Sequence, residues 1–321
     1  MNGLRNICRY SLKDRSLTQI TFGTGPDYSP MPDPGGKGVY FVNGKSSGFM
    51  TVYHVNSKES KDIVSEDTTG PVISPDGRHV MYIALAGPER SELWASDIDG
   101  GNKMRIASGE ELGTGTWAPD SFHLGFFELG TNIEHQQAFI AAADGNGLRQ
   151  VPPVRGAPYV PVWSPDQKSV YLSVNETGTP TFSIWKWNIN ASNPEKLVDQ
   201  CGIVFDSDLS GQYLLAVELG GEKTGIYAVS ISEKKCVPLL PGVVTFTATF
   251  APDGKSFLYA VAHRGEVTIF RQPWSNGKVI GTPQVALKVP FAFPLTYQRG
   301  NAYAFSRDLS TIVYAPEHTE T

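Results

Sequence analysis

Short apolar runs of four or five residues recur along the chain, and polar turns separate each run from the next. The clearest unit extends from Val72 to Ile106. Val72-Ile73-Ser74 leads into a turn at Pro75-Asp76-Gly77, and Val80-Met81-Tyr82-Ile83-Ala84 follows. A polar loop, Gly87-Pro88-Glu89-Arg90-Ser91, precedes Leu93-Trp94-Ala95-Ser96. A turn at Asp99-Gly100-Gly101-Asn102 then leads to Met104-Arg105-Ile106. This pattern predicts four strands joined by three hairpin turns. Proline presets φ near −65°, aspartate bonds its own backbone, and glycine tolerates positive φ, so Ser-Pro-Asp-Gly is a turn with a mechanism.

The second strand of the unit does not alternate. Val80–Ala84, Val170–Val174, Tyr213–Val217 and Phe257–Val261 are nearly continuous apolar runs, so both faces must be covered. The third strands are aromatic and β-branched, as in Ile184-Trp185-Lys186-Trp187 and Val267-Thr268-Ile269-Phe270. The fourth strands, near Lys103–Ile106, Arg149–Val151 and Lys196–Val198, are short and basic or polar, as suits an outer edge.

Taking the turn aspartate as a marker gives Asp33, Asp76, Asp120, Asp166, Asp208, Asp253 and Asp308, at intervals of 43, 44, 46, 42, 45 and 55 residues. That period belongs to four-stranded blades stacked in a ring. The expected fold is all-β: a seven-bladed β-propeller of four-stranded antiparallel blades, in one domain covering 1–321. The blades fall at about 28–64, 72–107, 116–152, 162–198, 204–240 and 249–287, with the last formed by 304–315 joined to 7–22. A six-bladed ring is the alternative. No helix is expected. The widened last interval is assigned to an aromatic loop from Lys288 to Asn301, which packs on the ring as a flap or covers its channel.

Composition narrows the function classes. Hydrophobic content of 40% with 18% charged residues fits a folded globular chain, and 33 glycines with 23 prolines fit many turns. A net charge of −5 argues against a general nucleic-acid binder. No run reaches the roughly 20 apolar residues of a membrane span, so membrane insertion by this chain is not expected. The start of the sequence lacks a signal-peptide core, so a cytoplasmic location is expected for the chain as written, with an extracytoplasmic one if it is a fragment of a membrane-anchored kinase. Cys8, Cys201 and Cys236 are odd in number and contain no Cys-x-x-Cys pair. Neither a disulfide framework nor a zinc site is expected, and the cysteines read as buried small hydrophobes.

The turns Ile73-Ser74-Pro75-Asp76, Trp117-Ala118-Pro119-Asp120, Trp163-Ser164-Pro165-Asp166 and Phe250-Ala251-Pro252-Asp253 resemble the Pro-Asp repeats of TolB-like propellers. Together with the apolar strand after each turn and the Asp-Gly-Gly-Asn hairpin, the resemblance spans about Ile7 to Ala315. More narrowly, Ser11-Leu12-Lys13-Asp14 and Phe305-Ser306-Arg307-Asp308-Leu309-Ser310 look like the C-terminal propeller region of acidobacterial-type serine/threonine kinases. That resemblance implies a sensing or protein-binding module. The kinase half is absent, so no phosphoryl transfer is implied for this chain.

Several short motifs are better explained by the repeat. Gly44-Lys45-Ser46-Ser47-Gly48 matches a nucleophile elbow but lies between two strands, not between a strand and a helix. Arg307-Asp308-Leu309 is the seventh marker turn, and Ser232-Glu233-Lys234-Lys235 is a third-to-fourth-strand turn. Asp97-Ile98-Asp99-Gly100-Gly101-Asn102 lacks the closing glutamate of a calcium loop, since Ser108 stands there. His79 and His123 occupy matching places in adjacent units, a weak alternative metal pair that needs further ligands. No cofactor and no catalytic residue is expected.

Loops between second and third strands, and between blades, crowd one face around the channel mouth. They carry Arg90, Glu111, His135, Arg155, Tyr159, Arg264, Tyr297 and Arg299. Arginine and tyrosine on loops held by a rigid scaffold suit contact surfaces. The expected function is non-catalytic recognition of a protein, a peptide or a small ligand at the channel mouth, with the sensor region of a kinase-type protein as its setting. A sugar-active lyase or hydrolase with a metal near the ring axis is the alternative.

Overall fold

The Ser-Pro-Asp-Gly turn is held by its own side chains. The computed structural model describes residues 6–22, 27–43, 46–48, 50–64, 68–87, 90–130, 136–176, 179, 181–263, 266–289, 303–315 and 317–319. In it Ser74 Oγ donates to Asp76 Oδ1 at 2.5 Å, and Arg78 N donates to the same oxygen at 3.0 Å. His79 N then donates to Ser74 Oγ at 3.0 Å, and Ser74 N to the His79 carbonyl at 2.9 Å. Ser164 with Asp166, and Ser306 with Asp308, repeat this network. At Asp76 and Asp308 burial pushes the carboxyl pKa up, but the accepted hydrogen bonds outweigh it and hold both below 3.8. Each such turn therefore carries a fixed negative charge at one end of its blade.

One copy runs out of step with the sequence expectation. Backbone pairing sets Asp208, bonded to the Tyr213 carbonyl, where Ser74 stands in the first unit. Ser210 then takes the marker position, and Asp208 Oδ1 accepts from Tyr213 N at 2.7 Å. Serine and aspartate have exchanged places while their mutual bond is kept. The fifth marker is thus Ser210, two residues beyond the expected Asp208.

Six such units make blades among the described residues. Blade one is Thr68–Ile73, His79–Gly87, Arg90–Asp97 and Met104–Gly109. Blade two is Leu112–Trp117, His123–Glu128, Gln137–Ala142 and Arg149–Gln150. Blade three is Ala157–Trp163, Ser169–Asn175, Phe182–Asn188 and Glu195–Val198. Blade four is Ile203–Ser207, Tyr213–Glu218, Gly225–Ser230 and Lys235–Pro241. Blade five is Ala248–Phe250, Ser256–His263, Glu266–Ser275 and Gln284–Val289, with Lys278–Val279 folded back on its third strand.

Blade six closes the ring, and here the expected partner is corrected. Tyr303–Phe305 and Thr311–Tyr314 pair with Met50–His54 and Glu59–Val64, in the register Thr311 to His54 and Tyr314 to Thr51. The expected 28–64 blade is divided, and 304–315 is completed by 50–64 in place of 7–22. The ring has six blades, the alternative count. Packing explains the choice. Met50 and Val52 are 0% and 1% exposed, in one cluster with Val80, Tyr82 and Val313. In the 7–22 segment the residue matching Val52 is Arg9, whose guanidinium would enter that apolar cluster at a steep desolvation cost. Cys8–Tyr10 instead pairs with Leu17–Gln19, and Asp27–Pro32 with Val39–Asn43, as separate two-stranded hairpins. The loop expected at 288–301 lies mostly outside the described residues.

The core lies between the blades. Met81, Ile83 and Leu93 of blade one pack with Leu112, Trp117, Leu124 and Phe126 of blade two, which is why second strands are apolar on both faces. Blade-to-blade contact is close enough to require glycine at Gly125, where a Cβ would lie 2.7 Å from Pro161 Cβ.

Two further ties cross between blades. Cys201, in the link after blade three, is joined by a disulfide to Cys236 on the outer strand of blade four, with Cα atoms 5.9 Å apart. The expectation of unpaired cysteines is corrected for these two, because the outer strand of blade four returns, 35 residues on, to the link from which that blade began. Cys8 is free and exposed. Asp206, on the first strand of blade four, accepts from Thr249 Oγ1 at 2.7 Å and Phe250 N at 2.8 Å in blade five. Its other oxygen meets Arg307 Nη2 of blade six at 2.9 Å. One carboxylate thus ties three successive blades.

Candidate functional site

Loops at the second-to-third-strand end of the blades carry four expected contact residues that the structure describes. Arg90 is exposed and donates from Nε to Ser108 Oγ at 3.1 Å. Glu111 is half-buried in the link between blades one and two, and its carbonyl accepts from Leu129 N at 2.9 Å. Arg155 is exposed in the link before blade three. Tyr159 stands on the first strand of blade three, half-buried. The other four, His135, Arg264, Tyr297 and Arg299, lie outside the described residues.

Tyr159 is the residue around which this face is built. Its ring centroid lies 5.2 Å from that of Phe127 in blade two and 5.2 Å from Phe182, which meets it edge-on. Both separations suit tilted aromatic pairs. Gln136 Nε2 donates to Tyr159 Oη at 3.4 Å. Phe127 reaches this place because Gly113 has no side chain, since a Cβ there would lie 2.3 Å from the Phe127 ring.

The backbone beside Tyr159 is strained. First strands bulge at matching points, between Thr69 and Val72 in blade one and between Tyr159 and Val162 in blade three. Blade one meets the bulge with Gly70 at φ 64°, whereas blade three places Val160 there at φ 37°. A β-branched residue in the left-handed region costs on the order of 1–3 kcal/mol, and such residues concentrate at binding sites.

The polar groups nearby are already committed to one another. Thr181 Oγ1 donates to Glu218 Oε2, linking blades three and four. Lys196 Nζ lies 2.7 Å from Glu176 Oε1 and 2.9 Å from Asp199 Oδ1, and 5.6 Å above the Trp185 ring. Burial pushes the Glu176 carboxyl up, but the Lys196, Ser183 and Trp185 hydrogen bonds more than offset this and keep its pKa low. Thr181 directly precedes Phe182 in the chain, so its bond to Glu218 borders the aromatic trio.

His79 and His123 lie at the other end of the blades. His79 Nδ1 is 3.3 Å from Asp97 Oδ1, and its ring is 6.2 Å from Trp117 of the next blade. His123 Nδ1 is 2.7 Å from Asp120 Oδ2, with Trp163 at 6.1 Å. The two histidines are matched in position, and each is engaged by an aspartate of its own blade. Among the described residues no three His, Cys, Asp or Glu side chains converge as a metal set. Ser46–Gly48, the serine motif, forms a strand paired with Glu317–Thr319. No helix among the described residues is long and apolar enough to cross a membrane.

Sequence reasoning selected Tyr159 but missed Phe127, Phe182 and the strain at Val160. Their signal was present in part: Gly70 and Val160 occupy the same bulge position, and only the glycine is at ease there.

No family model matches the chain, and no curated protein matches it. Solved structures do. A protein assigned as a TolB from Agrobacterium tumefaciens superposes with a TM-score of 0.59 at 14% identity, covering 86% of this chain and 100% of that one. TolB from Acinetobacter baumannii gives 0.55 at 14% identity, covering 74% of this chain and 66% of that one. An oligogalacturonate lyase in complex with manganese gives 0.54 at 15% identity, covering 84% and 83%. At such identities the likeness establishes the fold, a TolB-like β-propeller.

Proposed function

We propose that the chain is a recognition propeller, without catalysis of its own, that binds a protein or peptide segment over the face carrying Tyr159. The observation that supports this reading most is the strained backbone at Val160 beside an aromatic ring fixed by Phe127 and Phe182. A rigid, half-exposed tyrosine supplies contact area at low conformational cost, the property that makes tyrosine a frequent hot spot. Arg90 and Arg155 add exposed positive charge on the same face. The Cys201–Cys236 bond favours an oxidising compartment for this role. Its setting as the sensor region of a kinase-type protein rests on the sequence resemblance.

The test is selection of peptides from a random displayed library against the biotinylated full chain, followed by biolayer interferometry. Selected peptides are expected to lose at least about tenfold in affinity on Tyr159→Ala, equivalent to about 1.4 kcal/mol, while Tyr159→Phe retains most binding. Peptides that bind Tyr159→Ala as tightly as the parent would remove this face from the proposal.

A further inference from the structure

At the opposite end of the blades, a groove of about 510 Å³ opens between the turns of blades four and five. Its size is that of a small-molecule site. The repeat does not require it. Blade four passes from its third to its fourth strand through the short turn between Ser230 and Lys235. Blade five instead extends its third strand to Ser275, turns at Asn276-Gly277 and pairs Lys278–Val279 back on Trp274 and Ser275. Gly277 has φ 79°, and a Cβ there would lie 2.8 Å from the Tyr213 ring, so the added hairpin rests directly on that tyrosine. The insertion builds one wall of the groove.

The lining has an apolar floor and two charged side chains, Lys255 and Asp208. Trp274 meets Tyr213 edge-on at 5.2 Å and Phe250 at 5.2 Å. Leu209 and Ile280, on the two sides, are 59% and 53% exposed. Lys255 lines the groove, and none of the ion pairs among the described residues includes it. The neighbouring acids are already engaged. Asp253 meets Arg271 at 3.1 Å. Asp208 accepts from Gln212 N and Tyr213 N on one oxygen, and from Ser210 on the other.

We propose that this groove binds a small amphipathic carboxylate. Its ring or branched alkyl group lies between Leu209 and Ile280 over the Trp274–Tyr213 floor, and its carboxylate meets Lys255 Nζ in a charge-assisted hydrogen bond. The site lies at the other end of the blades from Tyr159 and stands independently of the role proposed for that residue.

The probe is 3-(4-fluorophenyl)propionate, titrated into the full chain and followed by fluorine NMR, beside its amide. The acid is expected to bind at least about tenfold more tightly than the amide, a difference of about 1.4 kcal/mol. Lys255→Gln is expected to bring acid and amide to parity, and Ile280→Asn to weaken both. Tyr159→Ala is expected to leave all of these affinities unchanged. Equal binding of acid and amide by the parent chain, a preference that survives Lys255→Gln, or no binding at millimolar probe would each overturn the assignment.

Discussion

Replacing Asp206 by alanine is expected to lower the thermal midpoint of the propeller by about 5 °C, from a loss of roughly 3 kcal/mol. The substitution leaves Arg307 without its partner and orphans Thr249 Oγ1 and Phe250 N, all from different blades than the carboxylate they share. The side chain of Asp206 is 11% exposed and that of Arg307 is 27%, so solvent compensates only in part. The reverse substitution is milder. Arg307→Ala leaves the carboxylate still accepting from Thr249, Phe250 N and Ser207 N, and should cost about 1 kcal/mol. Calorimetry on both variants checks the asymmetry. Equal losses would mean that the ion pair, and not the hydrogen bonds to blade five, carries the tie.

Breaking the disulfide should cost about as much. Cys201 and Cys236 are 35 residues apart and enclose the first three strands of blade four, and closing such a loop stabilises by about 3–4 kcal/mol on the chain-entropy account. Cys201→Ser, or reduction of the parent chain, should lower the denaturant midpoint accordingly. Alkylation followed by mass spectrometry gives an independent reading. Without reductant only Cys8 should be labelled under denaturing conditions, whereas reductant should expose all three thiols. Three labelled cysteines in the absence of reductant would contradict the bond.

Much of the ring is legible in the chain because its turns are chemical objects. A serine that bonds an aspartate two residues later closes the same loop in blades one, three and six, so spacing alone counts those units. Two features escaped that reading for physical reasons. Blade four keeps the bond but exchanges its partners, so a search for the aspartate lands on Asp208 where the turn is centred on Ser210. The closing strands are ambiguous because the segments near 8–19 and 50–64 share one hairpin geometry, with Arg15 at φ 54° and Lys58 at φ 59° in matching turns. The burial of Met50 and Val52 separates them, because Arg9 stands where Val52 is enclosed, and that this position is enclosed is a property of the assembled ring.

The candidate sites were less legible than the fold. Tyr159 stood out as an aromatic residue near a loop, but Phe127 and Phe182 reach it from another blade and another strand. The groove over Trp274 depends on the turns of two successive blades, centred on Ser210 and Asp253, meeting in space. Its one sequence signal is the Asn276-Gly277 turn, which shares the widened last interval with the aromatic loop after Lys288.

Where each loop face lies depends on how the ring closes, and a cysteine pair tests that closure directly. Tyr314 is paired with Thr51, and the matching position in the alternative closing segment is the native Cys8. Tyr314→Cys is introduced once alone and once with Thr51→Cys, and the chain is oxidised mildly and mapped by peptide mass spectrometry. The six-bladed ring is expected to give a bond between positions 51 and 314 in the double variant, and none between 8 and 314 in the single one. Rapid formation of the 8–314 bond in the folded single variant would contradict this closure and restore the seven-bladed arrangement.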